Sequence, residues 1–212
     1  MGVRLMRQSQ TGDTIIEVLF AVSVFSLVAV GAISLMNQGI MSAQKALEIT
    51  QVRQQIDAQA EALRYAHHSY ITSLGSETGG DEQWSRIRDK ATQAGPISAF
   101  EPAENPRKCA DMPDRAFIMN ARRGTLESDP TKQPHSISSS DTGYTPPPFA
   151  KVSYGESNAI DRVDGIWIEA RANGGSGGVG YIDFHIRACW ESPGTGPAIT
   201  LGTIVRLYEL AV

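Results

Sequence analysis

In Gly12-Asp13-Thr14-Ile15-Ile16-Glu17-Val18, two carboxylates stand four residues apart at the head of an apolar run. From Val18 to Gln44 there is no Asp, Glu, Lys or Arg. A carboxylate at mid-membrane costs about 2.5–3.5 kcal/mol, and less near an interface. Glu17 therefore either lies among headgroups, where it needs no partner, or has a role that offsets its cost. The other reactive residues form no catalytic constellation. Gly175-Ser176-Gly177-Gly178-Val179-Gly180 spells G-x-G-x-x-G. The phosphate-binding version of that motif lies between a strand and a helix; strand-like sequence follows here, so a hairpin loop is expected. His67 and His68 are adjacent on a helical stretch, whereas helical metal pairs are three or four residues apart. His135 and His185 have no metal-ligand spacing. Asp129, Asp141, Asp161 and Asp164 supply oxygens of the kind calcium takes, without EF-hand order. Gly174-Gly175-Ser176-Gly177-Gly178 spells G-x-S-x-G, but within that same expected hairpin loop and not at a strand-to-helix elbow. Cys109 and Cys189 are the only thiols, and neither has neighbours suited to catalysis or metal. No enzyme activity, metal or cofactor is expected.

The elements that must carry these residues divide the chain in two. Thr14 to Met36 would span about 34 Å as a helix, enough to cross a hydrocarbon core of about 30 Å. Arg4 and Arg7 precede it, no acid occurs in the first twelve residues, and the next basic residue is Lys45. The positive-inside rule places the amino terminus in the cytoplasm and the rest outside. A secretory signal has a shorter apolar stretch and a small-residue cleavage site. Here helix-favouring sequence continues instead. Ile49, Ile56, Leu63 and Tyr70 recur every seven residues, with Val52 and Ala66 between them. This is one apolar face of an amphipathic helix ending near Ser73. A coiled-coil stalk would want an apolar residue where Gln59 stands, so packing against the chain's own domain is expected.

Gly12-Asp13-Thr14-Ile15-Ile16-Glu17-Val18 resembles the processing site of type IV prepilins and the related type II secretion pseudopilins. In that family a short basic leader ends in Gly and a prepilin peptidase cuts after it. The mature chain then begins with an apolar, often N-methylated residue, followed by Thr, two aliphatics and Glu. Gly12, Thr14, Ile15, Ile16 and Glu17 match; Asp13, at the methylation position, departs from the pattern. The resemblance implies removal of residues 1–12 and a long helix over 13–73 with its transmembrane half at about 14–36. It also implies an exported β-rich domain over 74–212. The new α-amino group at Asp13 would pair with Glu17 of a neighbouring subunit in a filament. Such a buried pair adds little net stability but penalises wrong register, because breaking it strands a charge. The implied partners are the prepilin peptidase, other pilin subunits, the inner-membrane assembly platform and, before assembly, membrane lipids.

Beyond residue 73 a short helix is expected over Glu82–Gln93 and a strand over Arg115–Ala121. Residues 128–149, polar and proline-rich, read as a long surface loop. Strands over 165–172, 180–190 and 202–210 fit an antiparallel meander. In the middle one, Ile182, Phe184, Ile186, Ala188 and Trp190 alternate with polar residues, as in a sheet covered on one face. The fold class is α+β: a long helix against a C-terminal antiparallel sheet. An exported domain meets oxidising conditions, which favour a Cys109–Cys189 bond; two free buried thiols are the alternative. Pilins commonly carry a disulfide in this region.

The chain is formally −4, and −6 once the two leader arginines are removed. That balance argues against non-specific nucleic-acid binding. DNA contact stays open through two short basic pairs, Arg107-Lys108 and Arg122-Arg123. The expected function is a minor pilin or pseudopilin. It begins as a single-pass membrane precursor and ends in an extracellular or periplasmic filament for adhesion, motility, secretion or DNA uptake. The alternative is a membrane-anchored exported binding domain or enzyme that does not polymerise.

Overall fold

The computed structural model describes residues 13–73, 80–92, 97, 105–137, 145–174, 180–192 and 196–209. Two compact units divide the chain, residues 1–46 and residues 47–212. Helix α1 runs Asp13–Ser73. Between Ile15 and Ala46 it is exposed except for half-buried Ala29 and Lys45, and as far as Met36 it is apolar on nearly every side. It is long and apolar enough to cross a membrane, and none of its most apolar stretch is buried within the chain. Ser23 and Ser26 do not interrupt that character. Each hydroxyl donates to the carbonyl one turn back, Leu19 and Val22, at 2.7 Å. A helix that satisfies its own polar groups in this way needs no water around it.

In the second unit the remainder of α1 becomes one-sided. Val52, Ile56, Leu63 and Ala66 are buried in a single core, with Ile49 and Tyr70 packed at its margin. Gln59 is fully buried in the middle of this stripe. Its Nε2 donates to the Met119 carbonyl and its Oε1 accepts from the Met119 N–H, both at 2.9 Å. The side-chain amide thus pairs with the backbone as a neighbouring strand would. The residue that does not suit a coiled-coil seam is the one that fastens the helix to its own domain. Replacing Gln59 by Leu leaves both Met119 groups buried without partners, each at about 1–3 kcal/mol. Chemical unfolding of Gln59→Leu should show a loss of about 3 kcal/mol, and the exposed control Gln54→Leu almost none.

Helix α2 (Gly80–Thr92) matches the expected short helix. Trp84 packs its ring against His67, Tyr70 and Phe184, at centroid distances of 4.8, 6.0 and 6.1 Å. Around these helices stand three small antiparallel sheets. Strands β1 (Met119–Asn120) and β2 (Thr125–Leu126) form the first. Strands β3 (Lys151–Tyr154) and β4 (Ile160–Asp164) form the second. The third is the expected meander, β5 (Ile166–Asn173), β6 (Tyr181–Trp190) and β7 (Ile199–Tyr208), in spatial order β5-β6-β7. The alternation in β6 is realised fully: Ile182, Phe184, Ile186, Ala188 and Trp190 are all 0% exposed. The protein is α+β, a long helix with C-terminal antiparallel sheets.

Three details differ from the sequence reading. The strand expected over Arg115–Ala121 shrinks to Met119–Asn120, because Phe117 instead bridges Ile168 of β5. The loop expected over 128–149 is not all surface. His135 bridges Asp164, and Ser136 and Ile137 are buried, while residues 138–144 lie outside the described ones. The β3–β4 hairpin was not anticipated. Its tip places Ser157 and Asn158 at φ 58° and 57°, without the glycine such backbone usually takes. Three groups of the β1–β2 turn hold it: Asn120 Nδ2 donates to the Asn158 carbonyl, Arg122 to Asn158 Oδ1 and Arg123 to the Ser157 carbonyl. A glycine is required at Gly165, which joins β4 to β5 at φ 66°; a Cβ there would run into the Cys189 carbonyl.

Candidate functional site

The residues singled out at the amino terminus stand at the start of α1. Gly12 lies outside the described residues, and Asp13 is the first residue of the helix. Glu17 follows one turn later, about 6 Å along the axis, and is exposed. Ile15, Ile16, Val18 and Leu19 around it are exposed as well. Glu17 thus has an apolar surrounding with no cation of its own helix within several turns, the next being Lys45. An amino group at Asp13 would lie on the positive end of the helix dipole, where a cation is disfavoured and an external carboxylate welcome. That geometry suits pairing with a carboxylate delivered by another molecule.

The other sequence candidates are drawn into structural roles. Cys109 and Cys189 form a disulfide, with Cα atoms 5.8 Å apart, that ties the segment before β1 to β6. Of the four aspartates weighed for calcium, Asp129 caps a short 3-10 turn by accepting from Thr131 N–H at 2.8 Å. Asp161 is 3.8 Å from Lys132, buried Asp164 binds Arg162 at 2.8 Å, and Asp141 lies outside the described residues. Among the described residues no three His, Cys, Asp or Glu come together as a metal site would need. The G-x-G-x-x-G stretch falls between β5 and β6, which pair antiparallel; residues 175–179 lie outside the described ones.

Arg122 stacks 4.2 Å over the Tyr154 ring, so with Arg123 it serves the hairpin tip. His67 rests on Trp84 and donates from Nε2 to the Tyr208 carbonyl at 3.0 Å. Burial pushes its imidazole below the ordinary histidine range, against the pull of that carbonyl and of Glu209. Burial and then Arg187 do the same to His185.

Two buried carboxylates escaped the sequence reading. Glu48 accepts from the Trp190 indole N–H at 3.1 Å, and Glu169 accepts from Trp167 at 3.0 Å while facing Arg187 at 3.3 Å. Glu48 occupies the core edge of the α1 stripe, one position before Ile49, and that offset is the signal that could have marked it. Comparison with family models, with curated proteins and with solved structures returns no match.

Proposed function

We propose that this chain is a structural subunit, a minor pilin or pseudopilin, of a type IV pilus-like filament. It is made as a membrane precursor with its amino terminus in the cytoplasm. A prepilin peptidase cuts after Gly12, and α1 then carries the subunit into the filament. The observation that supports this most is that Asp13 and Glu17, which follow Gly12 in the sequence, stand at the head of a helix whose first part is exposed and apolar. Glu17 and the amino group at Asp13 join neighbouring subunits, and the domain beyond Leu47 is displayed outside. The disulfide fits an oxidising compartment of that kind. No catalysis is assigned to the chain.

The intact mass of the chain recovered from membranes tests the proposal. A chain beginning at Asp13 is expected, with any N-methyl group visible as added mass. Gly12→Glu should yield the uncut precursor. A wild-type chain that still begins at Met1 would remove the filament assignment and leave a membrane-anchored domain.

A further inference from the structure

The register of the meander determines which backbone groups of β7 face away from β6. The Glu209 N–H donates to the Gly180 carbonyl directly opposite it, at 2.8 Å. In an antiparallel pair, hydrogen-bonded and non-bonded positions alternate. The odd residues of β7 therefore bond β6, and the even ones turn their N–H and C=O groups to the outer edge. The chain closes both ends of that edge itself. At one end the Ala198 N–H donates to the Pro106 carbonyl at 3.0 Å; at the other, His67 holds the Tyr208 carbonyl. Between them Thr200, Gly202, Ile204 and Arg206 have no backbone partner on that edge among the described residues. The open window is about 20 Å long. The opposite edge of the sheet is different, because Phe117 and Ile168 exchange two backbone bonds there, at 3.1 and 2.9 Å.

Open edges are ordinarily guarded by lysine, proline, a bulge or an inward charge. Strand β7, ITLGTIVRLY, pairs with β6 without a register shift and contains no proline, lysine or acid. Its one charge, Arg206, is already held by both carboxylate oxygens of Asp183, at 2.7 and 3.0 Å, and lies over the Tyr181 ring. Apolar groups border the edge on both faces: Ile204 (60% exposed) on one, and half-buried Leu201 and Leu207 on the other.

We propose that the open edge of β7 between Thr200 and Arg206 is a strand-acceptor site. It takes an extended, uncharged segment of about seven residues, apolar on both faces, from a different polypeptide chain. The backbone pattern requires an extended peptide, the neutralised Arg206 selects an uncharged one, and the two closed ends set its length. The site operates whether or not α1 polymerises. It is tested on the full chain in detergent micelles, by amide hydrogen exchange with the probe acetyl-Val-Thr-Val-Ile-Thr-Val-Thr-amide. With the probe at about ten times its dissociation constant, exchange at Gly202, Ile204 and Arg206 should slow about tenfold. The same peptide N-methylated at alternate amides should give no protection, and Ile204→Pro should abolish binding while the odd β7 amides stay protected. Absence of protection at millimolar probe, or equal protection by the N-methylated peptide, overturns the proposal. So does concentration-dependent protection without any peptide, which would show that the edge pairs with a second copy of this chain.

Discussion

A Glu17→Ala chain is expected to be cut after Gly12 and to stay in the membrane like the wild type, yet to be nearly absent from filaments. In the proposed function the peptidase acts at Gly12, five residues upstream, and an alanine in an apolar helix lowers the cost of insertion. Assembly is different. When the first part of α1 packs among its neighbours, the amino group at Asp13 leaves water. Glu17 of an adjacent subunit is the group proposed to neutralise it. Removing one member of a buried pair costs about 3–5 kcal/mol, a drop of a hundredfold or more in incorporation. Glu17→Gln should fail similarly, because an amide keeps the shape but not the charge. Quantitative immunoblotting of sheared filaments against membrane fractions measures this. Normal incorporation of the alanine chain would remove the role given to this carboxylate. Asp13 makes the result more informative, since its own carboxylate competes for the same amine.

Loss of the Cys109–Cys189 bond is expected to have the other large effect. The bond joins positions 80 residues apart. In the chain-entropy account, closing a loop of that length stabilises the fold by about 4.5 kcal/mol. Both cysteines are buried, and Cys189 is followed by Trp190, which holds Glu48 of α1. Loosening this end of β6 therefore also loosens the attachment of the helix. Cys109→Ala/Cys189→Ala should unfold at a markedly lower denaturant concentration than the oxidised wild type. Adding reductant should bring the wild type close to the variant and leave the variant unchanged. A variant as stable as the oxidised protein would show that the unfolded chain was already compact around these residues.

The sequence was most legible where a period ran unbroken. The apolar run of α1 announced a helix long enough to cross a membrane, and the seven-residue stripe after it and the alternation in β6 each announced an element and its buried face. Gln59 was legible only as a misfit, since its partner, the Met119 backbone, is 60 residues away in the chain. The β3–β4 hairpin escaped because its tip is held by Asn120, Arg122 and Arg123 from the β1–β2 hairpin rather than by glycine at its two positive-φ positions, Ser157 and Asn158. Distance hid the partner of Glu48 too, since Trp190 lies 142 residues on, whereas Glu169 has its indole partner, Trp167, two residues away and only Arg187 farther off. At the amino terminus the reverse holds. The resemblance to prepilins singled out Gly12, Asp13 and Glu17, and the role proposed for them depends on a neighbouring molecule and not on the fold of this chain.

The fastening of α1 by Gln59 and Glu48 also sets the order in which the protein can be completed. The helix is synthesised first, but Met119 is made 60 residues after Gln59, and Trp190 is made 142 residues after Glu48. At ribosomal speeds of about 5–20 residues per second, the greasy side of the newborn helix waits on the order of ten seconds for its cover. Throughout that interval it is a target for chaperones, for lipid and for the same helix of a sister chain. The stripe that the finished fold hides is thus without its own cover until Met119 and Trp190 have been made.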